Sequence, residues 1–188
     1  MDSKGASDEG GYTLQSVIDR VSDPLAAHGV SLDTASAIAY KLEGAELVIV
    51  TAHGGLVPGN RYFQVVKDDA NLTLTGSDLG SALKNVGVAI LFVCSGGRLD
   101  PHPMAITTLG LARQVLGNGC TTVIASPWPI DSRIPSHWLP AFLDSWDAGV
   151  PVIDAVFDAN TRVRDSFSSE FRDCLAMSVY GDPLRTKA

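Results

Sequence analysis

Two apolar runs in this sequence end on side chains that can do chemistry. LVIVTAHGG, residues 47 to 55, passes from aliphatic and β-branched positions into His53, Gly54 and Gly55. A second run, VGVAILFVCSGG, ends the same way on Cys94 and Ser95. An imidazole and a thiol at the ends of neighbouring strands suit nucleophilic catalysis: the thiolate attacks a carbonyl, and the imidazole takes up and returns the proton. The glycines fit that chemistry. Gly54 and Gly55 let the backbone approach a substrate, and the N–H of Gly54 with that of Cys94 can bind a developing oxyanion. A single cysteine closing a buried strand more often serves as a small hydrophobe. Two such strand ends, one carrying the thiol and one the imidazole, each followed by Gly-rich backbone, favour chemistry.

The remaining thiols and imidazoles carry weaker signals. Cys120 opens a strand after a Gly stop, and Cys174 lies on the approach to the last strand; both read as structural. His28, His102 and His137 read as surface or packing residues, with His102 near enough to Cys94 in sequence to line a shared cleft. Three cysteines with no CxxC or Cys/His ligand spacing indicate neither a disulfide framework nor a zinc site. No GxGxxG or Walker loop follows any strand, so no metal or nucleotide cofactor is expected.

The elements that must position these residues follow from periodicity. TLQSVIDRVSDPLAAHGV has apolar residues at helical spacing, with Pro24 expected to break or bend the helix. SLDTASAIAYKLEGAE predicts a second helix ending at Gly44, and ELVIVTA a buried strand. RYFQVVKDDANLTLTG predicts a β-hairpin, followed by a short helix capped by Ser77 or Asp78. After the strand VGVAILFVC come a helix over PMAITTLGLARQVLGNG, a third buried strand, CTTVIAS, two helices near 135–147 and 151–165, and a final strand in LAMSVYGD. Continuous β-branched runs alternating with helices specify an α/β fold. The expected architecture is a three-layer sandwich, a mostly parallel sheet with helices on both faces and a small β-hairpin. In such sheets ligands gather at the carboxyl ends of the strands, where His53 and Cys94 fall.

Composition bounds the function. The 188 residues, 45% of them apolar and 19% charged, fit one core and one domain over 12–188, behind a Gly-rich leader at 1–11 that reads as disordered. A net charge of −7 with 14 scattered Lys and Arg argues against nucleic acid or an anionic membrane as the main partner. No apolar run approaches the roughly 18–20 residues that span a bilayer, and the N-terminus lacks the apolar centre of a signal peptide. The expected location is the cytoplasm.

An apolar strand ending His-Gly, then one ending in Cys, resembles the caspase-like cysteine peptidases, a group that includes separases, gingipains and metacaspases. The sequence is most similar to CHAT domains, bacterial caspase-like domains often fused to tetratricopeptide repeats. TASAIAYKLEGAELVIVTAHGG resembles their helix and His strand, and LTLTGSDLGSALKNVGVAILFVCSGG their hairpin strand, short helix and Cys strand. LGLARQVLGNGCTTVIASPWPIDS resembles the helix and strand leading into a Trp-x-x-Asp loop, and SVYGDP the closing strand.

The resemblance implies a cysteine endopeptidase with Cys94 as nucleophile, His53 as general base and acid, and Gly54 as oxyanion donor beside Cys94. Gly55 and Ser95 would line the substrate site. In relatives that prefer Arg or Lys before the scissile bond, an acidic group after the third strand forms the specificity pocket, and Asp131 is the matching position. A carboxylate there can pair bidentately with a guanidinium; Asp131 can equally cap the following helix. Trp128 would either wall the pocket or join the core. Partners implied are a protein or peptide substrate and an activating or regulatory subunit acting in trans, which keeps the enzyme latent until its loops are arranged. The alternative is a non-enzymatic peptide-binding module on the same scaffold. Two departures stand out. Phe92-Val93 replaces the small Ser-Ala pair usual before the cysteine. The strand expected ahead of the His strand has no counterpart in a helical, polar first 45 residues, so it comes from elsewhere or is absent.

Overall fold

A computed structural model describes residues 14–32, 42–56, 64–67, 73–101, 108–167 and 176–188. The leader, the expected helix across 33–41, His102 and Cys174 lie outside the described residues.

The chain opens with helix α1 (Leu14–Ala27), followed by strand β1 (Leu47–Leu56), the hairpin strands β2 (Gln64–Lys67) and β3 (Thr73–Thr75), and helix α2 (Gly76–Ala82). Then come β4 (Val88–Val93), the short pair β5 (Asp100–Pro101) and β6 (Thr108–Leu109), helix α3 (Leu111–Gly117) and strand β7 (Thr122–Ala125). Helices α4 (Ile134–Asp147) and α5 (Val152–Phe167) and strand β8 (Ser178–Gly181) complete it. The main sheet runs in the order β3-β2-β1-β4-β7-β8. β1, β4 and β7 are parallel, β8 pairs antiparallel with β7, and the β2–β3 hairpin extends the sheet antiparallel to β1.

Side chains of β4 show why the sequence folds this way. All six are buried, so the strand reads as an unbroken apolar run, yet the pleat sends alternate residues to opposite faces. Val88, Ile90 and Phe92 pack under α1, α4 and α5 with Leu25, Trp138, Phe142 and Val156. Ala89, Leu91 and Val93 pack under α2 and α3 with Leu79, Leu83, Leu111 and Val115. These two cores, one on each face, make the three-layer sandwich that the alternating pattern predicts. An aromatic row on α4 fixes that helix to the sheet. Trp138 and Phe142 stack at 5.0 Å, Phe142 and Trp146 at 6.1 Å, and Phe92 meets Trp138 edge-on at 5.7 Å. Each such pair adds about 0.5–1.5 kcal/mol beyond its burial.

Several boundaries differ from the sequence-based expectation. α1 continues through Pro24 to Ala27 with the loss of one intrahelical bond, and the buried Val17, Val21 and Leu25 hold the helix in place. The N-cap of α2 is Thr75, one position before the helix, while Asp78 completes a capping box with it. The helix expected across 103–119 begins only at Leu111, because Asp100 and Pro101 pair with Leu109 and Thr108 and Gly110 is extended. No strand precedes β1 among the described residues. No described helix is long and apolar enough to cross a membrane.

Candidate active site

Parallel pairing aligns the ends of β1 and β4. Their register runs from Leu47 opposite Val88 to Ala52 opposite Val93, so His53 and Cys94 are the next residues on their strands. Neighbouring strands lie about 4.8 Å apart. The imidazole and the thiol therefore emerge at the same level of the sheet, on adjacent strands, at its carboxyl edge. Both residues are exposed, whereas the strand residues just before Cys94 are buried.

Gly54 meets the nucleophile strand directly. A Cβ at this position would lie 2.1 Å from the Cys94 carbonyl oxygen and 3.0 Å from Val93 Cγ1. Only a residue without a side chain brings the two backbones this close. Val93, unexpectedly bulky for its place before the cysteine, fills the space beside Gly54 and points into the core with α2 and α3. Gly55 pairs with Val65 across the β1–β2 ladder.

After Cys94 the chain turns sharply. Ser95 adopts φ +58°, a left-handed conformation unusual for a residue with a Cβ. Backbone bonds hold the turn: Ser95 N–H donates to the Trp128 carbonyl at 2.9 Å, Gly96 N–H to Val93 at 2.9 Å, and Gly97 N–H to Ser126 at 2.8 Å. Arg98 N–H donates to the Ser95 carbonyl at 3.0 Å. These four N–H groups are thus committed to protein carbonyls.

The same bonds place the loop after β7 beside the cysteine. The Cys94 thiol faces the Ile130 carbonyl at 3.9 Å. Trp128 is 46% exposed and so stands outside the core. Asp131 follows Ile130 directly. Its carboxylate accepts the Arg133 backbone N–H at 2.8 Å and two guanidinium bonds, from Nε at 3.0 Å and Nη2 at 2.6 Å. Arg133 hydrogen bonding holds the Asp131 carboxyl below the usual carboxylate range, against a smaller opposing effect of burial. The Arg133 guanidinium also lies over the Phe167 ring at 5.1 Å, and His137 meets that ring edge-on. Asp131 does not itself cap α4, whose N-cap is Arg133 with no side-chain cap bond. The Asp131 backbone carbonyl accepts from Ile134 N–H at 3.0 Å, in the first turn of α4.

Arg133 and Tyr180 are the residues that sequence reasoning missed. The Asp-x-Arg spacing was visible, but the pairing depends on the loop backbone. Tyr180 on β8 donates its hydroxyl proton to the Gly97 carbonyl at 2.7 Å across 83 positions of sequence, a contact no local signal announces. Among the described residues no group of three or more His, Cys, Asp or Glu is arranged to hold a metal ion.

A sheet with this order, carrying histidine and cysteine at matched strand ends, defines a caspase-like α/β domain. The chain belongs to the CHAT domain family, whose family model matches residues 8–175. The crystal structure of the Arg-specific cysteine proteinase gingipain R is similar in fold, with a TM-score of 0.61 and 12% identity. The likeness covers 96% of this chain and 44% of that one, so this chain spans less than half the length of the proteinase it resembles. A search of curated proteins finds no match.

Proposed function

We propose that this chain is a cysteine endopeptidase that cleaves protein substrates after a basic residue through Cys94 and His53. The observation that carries the reading is the matched register of these two residues, with Gly54 packed against the Cys94 carbonyl. The Cys94 sulfur attacks the scissile carbonyl carbon while His53 takes the thiol proton. The resulting oxyanion is held by the N–H groups of Cys94 and Gly54. Collapse expels the amine, which takes the proton from His53 and leaves an acyl-enzyme. Water, deprotonated by His53, then releases the carboxylic acid and the free thiol. These steps call on no metal or organic cofactor.

Asp131 is the proposed receptor for the basic side chain, with Trp128 and Ser95 lining the approach. Its present partner is Arg133, so a substrate guanidinium must exchange with an internal one. That exchange supports a latent enzyme, working in the cytoplasm and released by a protein partner or ligand in trans that rearranges the loop.

The test is cleavage of a proteome-derived peptide library, with native cell extract added to supply an activator and read by mass spectrometry of new termini. Cleavage after Arg or Lys that disappears in Cys94→Ala supports the reading. Binding of peptides without any Cys94-dependent cleavage would replace it with the non-enzymatic module.

A further inference from the structure

The turn that carries Cys94 holds an unfavourable conformation at Ser95, and such conformations persist only where the surroundings over-determine them. Backbone bonds to the loop after β7 supply part of that constraint. A further part comes from β8. Tyr180 sits opposite Val123 in the β7–β8 ladder and reaches over the sheet to the Gly97 carbonyl. Gly97 is built around this contact: a Cβ there would lie 2.5 Å from the Tyr180 hydroxyl, 2.9 Å from the Ala125 carbonyl and 3.0 Å from Tyr180 Cε2. The ring packs against the core on the α2–α3 face. Its hydroxyl is half-buried, and burial raises its proton affinity, so it stays a neutral donor at physiological pH.

We propose that Tyr180 is a positioning residue for Cys94, fixing the far end of the turn whose near end presents the thiol. The Gly97 N–H is bonded to Ser126 while its carbonyl takes the tyrosine proton. The peptide groups flanking Gly97 are thereby clamped between β7 and β8, and the three residues back to Cys94 have little freedom to swing. The catalytic meaning of this clamp rests on the proposed nucleophilic role of Cys94. The clamp itself does not, because Cys94 is exposed and open to a small electrophile whether or not the chain cuts peptides.

The experiment compares wild type with Tyr180→Phe, which removes the hydroxyl and keeps the ring. Each is treated with iodoacetamide, and alkylation at Cys94 and at Cys120 is followed by peptide mass mapping beside a thermal melt. Cys120 is buried and lies away from the turn, so it reports general loosening. The expected result is a change of about fivefold in the Cys94 rate, the factor one net hydrogen bond is worth, with Cys120 protected as before. An unchanged Cys94 rate overturns the proposal. So does a parallel rise at both thiols, or loss of a cooperative melt, since either makes Tyr180 a general structural residue. Failure of the peptidase reading is seen separately, in the absence of Cys94-dependent peptide cleavage.

Discussion

His53 and Cys94 each stand one residue past the last registered pair of two parallel strands, Ala52 opposite Val93. The β1–β4 pairing ends before them, while the His53 backbone still pairs with Lys67 on β2. The imidazole is exposed, and exposed substitutions usually change stability by less than about 0.5 kcal/mol. His53→Ala is therefore expected to keep the wild-type melting temperature while slowing peptide cleavage by about 10²–10⁴-fold, the range of a lost general base. Paired melts and progress curves check both halves of this expectation.

Gly54 makes the opposite kind of prediction. In Gly54→Ala the new methyl would meet the Cys94 carbonyl, a backbone atom that cannot rotate away. The strand ends must separate, at a cost of about 1–3 kcal/mol typical of overpacking. Chemical denaturation should show that loss. Cleavage should fall with it even under conditions where the variant is fully folded, because the displaced atoms belong to the nucleophile.

The Asp131–Arg133 pair predicts a gain as well as a loss. Arg133→Gln frees the carboxylate and is expected to speed cleavage after Arg, while Asp131→Asn slows it; kcat/KM on matched Arg and Ala peptides distinguishes these outcomes. The pair also has a pH signature. Arg133 holds the Asp131 carboxyl below its ordinary value, so the folded group binds its proton less tightly than the unfolded one. Its stabilising contribution is complete above the ordinary value near pH 4 and fades as pH falls through the lower folded value. Trp128, exposed on the same loop, is expected to become more accessible to acrylamide only in that acid range, and to lose this dependence in Asp131→Asn. The other tryptophans, Trp138 and Trp146, are buried and serve as a constant background.

Just past the end of α1, His28 ties that helix by charge to the end of α4. The His28 ring faces Asp147 at 2.7 Å, and Lys187 reaches the same carboxylate at 2.7 Å. Hydrogen bonding from Lys187, then from His28, holds the Asp147 carboxyl below its usual range. The Asp147 and Lys187 side chains are 32% and 40% exposed, so solvent screens the pairing and it is worth about 1 kcal/mol. Asp147→Asn is expected to lower the melting temperature slightly at neutral pH and not at all in acid, below the folded value of the carboxyl.

How much of this the sequence reveals depends on the range of each interaction. β4 and β7 are legible because strands buried on both faces are unbroken apolar runs, and β1, only partly buried, carries a similar run from Leu47 to Val50. Their common direction follows from the helices between them, and with it the shared edge for His53 and Cys94. Trp128 is less legible: its type suits both a core and a wall, and only the turn of the loop after Ser126 leaves it exposed. The start of α3 is misplaced because apolar spacing before Gly110 mimics a helix, while the true determinant is pairing of Thr108 and Leu109 with Asp100 and Pro101. Tyr180 and Arg133 lie beyond sequence reading, since one acts across the sheet and the other through a loop conformation.

The most direct test of the central claim is labelling with an Arg-directed peptide bearing an acyloxymethyl ketone, read by intact mass in the presence of native cell extract. Wild type should gain a single adduct, absent from Cys94→Ala and strongly reduced in His53→Ala and Asp131→Asn. An adduct that persists in Cys94→Ala, or a wild-type protein that stays unlabelled with every extract fraction, would contradict the account and leave a peptide-binding module in its place.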